Sequence, residues 1–437
     1  MLQRVIQVEE RPPLSQSIPL SFQHLFAMFG STVLVPILFH VNPATILLMN
    51  GVGTLLYLII CRGRIPAYLG SSFAFISPVF FVLSTGGGYN AALGGFIVVG
   101  LIFSAIALII RFAGIGWIDV VFPPAAMGAI VAVIGLELVP TAAQMAGLLA
   151  PDGAPQNWSP DGRVIFISMA TLFITILGSV AFRGFFKIIP ILIGIVAGYL
   201  LAALFGMVDV SKVAAAPWLA LPQFYTPVFQ WSAIIAIAPA ALVVVAEHMG
   251  HLIVTGNIVE RDLTRDPGLG RSLLGNGIST ILSGFVGSTP NTTYGENIGV
   301  LAISKVYSTW VIGGAAVIAI LISFIGKLSA LISSIPTPVM GGISLLLFGV
   351  IAASGISMLV EAKVDYSKPA NLMLTSVVLV IGTSGAAVTI GTFALKGMAL
   401  ATVIAIFISL FFKGLELAGV TEEGGSGSRN SKVRIEK

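Results

Sequence analysis

The stretch STPNTTYGENIGV, residues 288–300, is polar, carries the carboxylate of Glu296, and lies between two apolar segments. SLLGNGISTILSGFVG precedes it at 272–287, and TWVIGGAAVIAILISFIG follows at 309–326. A surface loop explains the polarity. A helix broken inside a membrane explains it better, because it makes Glu296 a working residue. Composition favours the second reading. Of 437 residues 57% are hydrophobic and 9% charged, with a mean hydropathy of +1.02. Soluble domains carry about 25% charged residues, so charge this sparse does not cover a soluble surface. The chain reads as an all-α polytopic membrane protein.

The polar N-terminus MLQRVIQVEERPPLSQS carries no apolar run followed by a small-residue cleavage site, so no removable signal peptide is expected. The single cysteine, Cys61, rules out an intramolecular disulfide or a multi-cysteine metal site. The Gly/Ser-rich polar tail at 414–437 is expected to be disordered.

A membrane helix needs about 20 mostly apolar residues. Reading between charges, prolines and polar clusters gives fourteen candidate spans, starting near 18, 43, 66, 88, 117, 163, 188, 230, 271, 289, 308, 335, 369 and 394. Cytoplasmic loops are rich in Lys and Arg. With both ends inside, 18 of the 22 basic residues fall on the inner side, leaving Arg163, Lys212, Lys327 and Lys396 outside. The formal net charge of +4 then reflects topology and gives no sign of a nucleic-acid partner.

FPPAAMGAIVAVIG at 122–135 aligns without a gap on IPTPVMGGISLLLF at 335–348. Pro123, Met127, Gly128 and Ile130 match Pro336, Met340, Gly341 and Ile343, each pair 213 residues apart. GSS at 70–72 matches GST at 287–289, and QHL at 23–25 loosely resembles EHM at 247–249. The pairs keep their order, which suggests two halves of seven spans. Because seven is odd, the second half enters the membrane from the opposite side, giving a 7+7 inverted repeat. Such repeats are common in secondary transporters, where broken helices from both halves meet at a midplane binding site. Here the short interrupted segments are YLGSSFAFISPVF in span 3 and GSTPNTTYGENIGV in span 10. Non-helical backbone survives at that depth only when buried or lining a cavity. Two extended stretches facing one another can pair their backbone groups as short antiparallel strands.

The ionisable residues inside spans are His24, Glu137, Glu247, His248, His251 and Glu296. A carboxylate in a span costs roughly 2.5–3.5 kcal/mol on insertion scales, which makes it a functional hypothesis. In AEHMGH, Glu247 and His251 are four residues apart on one helix face. Such a pair can hold one proton between them and act as a relay; the competing reading is polar glue between helices. His248 points elsewhere and reads as structural. His24 reads equally as a partner of Glu247 or its neighbours and as a packing residue. Glu137 reads as an interfacial carboxylate. Two glutamates with no nearby base suit a neutral ligand bearing N–H donors, or a cation. Phe73, Phe75 and Tyr294 add stacking surfaces. These features leave a nucleobase, a cationic amine and a metal ion open. An intramembrane zinc hydrolase is a distant alternative: EHMGH spaces His248 and His251 by three, but His-Glu-x-x-His and its inverted form are absent. An ion channel is another.

ENIGVLAISK, residues 296–305, resembles the signature of the nucleobase–cation symporter family, also called nucleobase–ascorbate transporters. Ser304 stands in place of the usual Thr and Lys305 in place of the common Arg. AEHMGH, the QH pair at 23–24, LGSSFAFISPV and STPNTTYGENIG fit the same family, and the likeness runs from about residue 10 to 413. The resemblance implies proton-driven import of uracil across the inner membrane, with both termini cytoplasmic. A purine or xanthine permease, or an anion carrier of the same architecture, is the alternative; Glu at 296 leans toward uracil. The resemblance also implies no cofactor and no metal beyond the coupling proton, no enzymatic activity, and a homodimer formed through a gate domain.

The implied division is a cytoplasmic N-terminus at 1–17, a core domain at 18–112 and 230–332, and a gate domain at 113–206 and 335–413. Glu247 and Glu296 would accept hydrogen bonds from the uracil ring nitrogens. Backbone N–H groups of Phe73 and Gly295 would donate to its carbonyl oxygens. Tyr294 and Phe73 would line the ring, His251 would assist proton coupling, and His24 and Asn297 would support the site. Phe348 stands where the resemblance leads one to expect a tyrosine, and Ser31 where it leads to alanine. Both are counted with the substrate-facing residues.

Overall fold

A computed structural model describes residues 5–390 and 393–420. The polar tail expected at 414–437 falls outside the described residues from 421 onward. Its first residues belong to the last helix, Gly397–Leu417.

The described chain is mostly helical. Seven helices are long and apolar enough to cross a membrane: Pro43–Ile60, Gly88–Ala113, Pro124–Met145, Gly162–Ala181, Trp231–Val259, Thr337–Glu361 and Gly397–Leu417. An eighth span is the pair Leu14–Ala27 and Phe29–Phe39, bent by 40° at Met28. Phe73–Ser84, Pro190–Leu204, Thr309–Ser323 and Pro369–Thr383 are shorter apolar helices. Helix Leu269–Val286 is more polar, and its Ser272, Asn276, Ser279, Thr280 and Ser283 are all buried.

Many large side chains point outward, among them Phe173, Val180, Leu200, Phe407 and Phe411. A contiguous exposed apolar surface of this kind belongs in a lipid-like environment. Inside, helices meet through small residues. A side-chain carbon on Gly277 would come within 2.9 Å of the Gly100 carbonyl, and one on Gly355 within 2.6 Å of the Gly128 carbonyl. Backbones this close are how membrane helices gain packing without a hydrophobic driving force.

Two apolar-flanked segments are not continuous helices. Leu69–Ser71 pairs antiparallel with Asn291–Thr293, in the register Leu69↔Thr293, Gly70↔Thr292, Ser71↔Asn291. Hydrogen bonds from Ser72 N to Pro290 O (3.0 Å) and from Tyr294 N to Tyr68 O (3.0 Å) extend the pairing. Every residue of both strands is buried. Pairing satisfies backbone groups that would otherwise be orphaned there. Each strand then feeds a helix: the 3₁₀ turn Phe73–Phe75 leading into Ile76–Ser84, and Gly295–Ser304. A second hairpin, Ala387–Ile390 with Phe393–Lys396, was not expected from the sequence.

The N-terminal segment, expected as a simple cytoplasmic lead at 1–17, is packed. Ile6 bridges Val306 in parallel, the Val8 carbonyl accepts from Thr309 N at 2.9 Å, and helix begins at Leu14.

Candidate binding site

The paired strands fix where two helix N-termini begin, and the side chains just beyond them gather around one point. Glu296 lies in the first turn of Gly295–Ser304 and accepts a 2.7 Å hydrogen bond from the Ser31 hydroxyl on Phe29–Phe39. Acidic groups are favoured at helix N-termini. Asn297, one residue on, is buried and donates from Nδ2 to the His24 carbonyl at 3.1 Å, with His24 Nδ1 at 3.2 Å. His24 is therefore the partner of Asn297, and not of Glu247.

Helix Ala240–Val259 supplies the other wall. Glu247 is 8% exposed, its Oε2 has no hydrogen-bond partner among the described residues, and it interacts electrostatically with Glu296. An unpartnered buried carboxylate oxygen is costly and calls for an explanation. His251, on the same face, places Nε2 3.3 Å from where a side-chain carbon on Gly295 would sit. Gly295 thus leaves room for the imidazole edge. Its Nδ1 lies 3.1 Å from Thr293 Oγ1, so its nearest polar partner is Thr293 and not Glu247.

Phe73 begins the 3₁₀ turn after the first strand and meets Phe348 of Thr337–Glu361 edge to face, centroids 5.9 Å apart at 85°. Tyr294 is buried with its ring against Gly70, and a side chain at 70 would collide with it. A cavity of about 610 Å³ is lined by His251, Gly295, Ile298, Asn257, Ser354, Met358 and Glu361 among others. Of the residues expected in the site, His251 and Gly295 line this cavity. Phe73, Glu247, Tyr294, Glu296, Ser31 and Phe348 are not part of its lining.

His248 reads as structural in the sequence, but its partners, like those of Glu137, escaped sequence reasoning. His248 is fully buried between Ser272 (2.7 Å), Asn276 (3.0 Å) and Thr293 (3.2 Å). Tyr57 OH continues the chain to Ser272 at 2.6 Å. The available signal was the polar set Ser272, Asn276, Ser279, Thr280 and Ser283, at helical spacing in an otherwise apolar run. Glu137 is also more than an interfacial carboxylate. It accepts from Ser77 Oγ at 2.7 Å and from Met398 N at 2.9 Å, so it joins three segments.

A family profile described as a permease family, Xan_ur_permease, matches residues 15–391. A protein named uracil permease from Paenibacillus larvae is 68% identical over 412 residues, covering 94% of this chain and 97% of that one. The uracil permease of Escherichia coli is 65% identical over 413 residues, covering 94% and 95%. Among solved structures, the transmembrane domain of the cyanobacterial bicarbonate transporter BicA superposes with a TM-score of 0.64 at 16% identity, covering 93% of this chain and 99% of that one. SLC26A9 superposes at 0.70 and 11% identity, covering 91% of this chain and 65% of that one. These two share the fold. The relatives carry names of transporters, and the apolar helices belong to a multi-pass membrane protein. The family match and the high identity over nearly the whole chain agree with the motifs quoted from the sequence: this chain belongs to the Xan_ur_permease family of permeases, the nucleobase–cation symporters.

Proposed function

We propose that the chain is a secondary active transporter that imports uracil together with a proton across the cytoplasmic membrane. The observation that carries this reading is the convergence of Glu247 and Glu296, one with an unpartnered oxygen, beside the paired strands. Uracil presents two ring N–H donors and two carbonyl acceptors around a flat ring. The carboxylates match the donors. The first N–H groups of a helix have no carbonyl one turn back to bond, so the backbone at Phe73 and Gly295 matches the acceptors. Phe73 and Tyr294 supply flat apolar surface, with Phe348 packed behind Phe73. Ser31 acts through Glu296, whose carboxylate it orients. Asn297 and His24 hold the start of the same helix.

A proton entering the site neutralises one carboxylate, which lowers the cost of moving the loaded site through the membrane. His251 assists that proton's transfer. The reading carries with it fourteen segments in a 7+7 inverted repeat, both termini cytoplasmic, and an elevator movement of the core at 18–112 and 230–332 against the gate at 113–206 and 335–413. A homodimer would form through the gate. Glu361 lines the cavity and Lys363, two residues further on, is among the basic residues assigned to the cytoplasmic side, so in this reading the cavity faces the cytoplasm. An anion would have to sit against two carboxylates, which weighs against an anion carrier built on this fold.

The test is uptake of labelled uracil into proteoliposomes. Uptake collapses when a protonophore removes the gradient, and Glu247→Ala and Glu296→Ala each lose it. Full uptake by either variant would refute the site assignment.

A further inference from the structure

His251 can present either of two faces to the site: a donor if its proton is on Nε2, an acceptor if on Nδ1. The surrounding hydrogen bonds select between them. His248, beside His251, is fully buried. Asn276 turns its amide nitrogen, a donor only, to His248 Nδ1 at 3.0 Å. The proton of neutral His248 is then on Nε2 and is donated to Ser272 Oγ at 2.7 Å. Thr293 has one hydroxyl hydrogen and two imidazole nitrogens in reach, His248 Nδ1 at 3.2 Å and His251 Nδ1 at 3.1 Å. Because Asn276 already fills the lone pair on His248, the Thr293 hydrogen is left for His251 Nδ1. That nitrogen must accept, so the His251 proton is on Nε2, the atom beside Gly295 at the head of the cavity.

We infer that Thr293, backed by the buried His248–Asn276 pair, is a positioning residue that holds His251 in the tautomer whose Nε2–H faces the bound substrate. The paired strands serve this directly, since register against Leu69 fixes the Thr293 backbone beside the two imidazoles. This inference rests on the assignment of His251 to the substrate site.

Two measurements on the full-length protein test it. The first is the imidazole ¹⁵N spectrum of ¹⁵N-histidine-labelled wild type, with the four histidines assigned by single substitution. His251 is expected to show a protonated Nε2 and an unprotonated Nδ1; the reverse pattern overturns the inference. The second is uracil affinity by calorimetry. Thr293→Val is expected to weaken binding by about tenfold, the size of one lost hydrogen bond. Thr293→Ser, which keeps the hydroxyl, is expected to bind within about twofold of wild type. In a His251→Ala background the Val substitution is expected to have no further effect. Wild-type affinity in Thr293→Val, together with a loss in His251→Ala, overturns the inference alone. Wild-type affinity in His251→Ala overturns both it and the role of His251 in the site. Because the spectrum uses the unaltered protein, a Val variant that fails to fold leaves the question decidable.

Discussion

Glu247 is held in the protein interior with one oxygen unpartnered, while Glu296, its neighbour, is tied to Ser31. A buried polar group left unsatisfied costs about 1–3 kcal/mol. Functional residues are often unfavourable for folding, and replacing them raises stability at the expense of activity. Glu247→Met, similar in volume and fully apolar, is therefore expected to raise stability by about 1–3 kcal/mol while abolishing uracil binding. Denaturation of the purified, ligand-free protein reads the first effect and calorimetry the second. A less stable variant would mean that Glu247 is structural glue. The prominence of these residues was legible in the sequence, because a carboxylate in an apolar run stands out. The partner of His24 was not. Its bond to Asn297 crosses 273 residues, and no local pattern encodes which buried polar groups will meet. Thr293 was equally hidden, one small polar residue among several in a stretch already marked as broken.

The broken segments show how much an element can be read from its sequence. Polar residues, Gly and Pro interrupting apolar runs marked both of them. The register of the strand pair required the fold, since it depends on how two distant segments are brought together. The hairpin Ala387–Ile390 with Phe393–Lys396 went unseen because its apolar, β-branched residues merge with the helices on either side. The N-terminal segment went unseen for a different reason. It is polar and looks solvated, yet it is fastened to the protein by its Ile6 backbone, by Arg11 over the Trp310 ring at 3.5 Å, and by Arg261 on Glu9 at 2.9 Å.

The Arg261 guanidinium holds the Glu9 carboxyl below its ordinary value of 4.5. A depressed carboxyl contributes stability that is present above that value and is lost as pH falls through the folded one. Protection of residues 5–10 against hydrogen exchange, corrected for intrinsic rates, is therefore expected to drop on acidification below 4.5. Glu9→Gln is expected to show the lowered protection already at neutral pH, with little change in global stability, because the pair is exposed. Protection that is equal in the two proteins and flat with pH would show that the ion pair does not fasten the segment.

At the scale of the molecule, transport requires one part to move against another. The proposed core and gate touch where Ser77 donates to Glu137, which also accepts from Met398 N near the start of Gly397–Leu417. Glu137 ends the helical stretch Pro124–Glu137, whose first residue, Pro124, lines a small cavity together with Glu361, so the contact lies about a helix length from Glu361. A short cross-link between cysteines at 77 and 137, in a Cys61→Ser background, is expected to hold that side shut. Uracil uptake is expected to stop, and to return when the link is cleaved. Undiminished uptake by the cross-linked protein would exclude relative motion there. The membrane class was legible from composition alone. Which helices share an interface is not a property of composition: it is decided by close backbone contacts such as Gly128 on Gly355.

The central claim is that acidic side chains beside the paired strands receive the pyrimidine ring. An experimental density map of the protein saturated with uracil tests it most directly. The ring is expected between Glu247 and Glu296, with a carboxylate oxygen of each within about 2.7–3.2 Å of a ring nitrogen. A ring bound elsewhere, with both carboxylates turned away from it, would contradict the account.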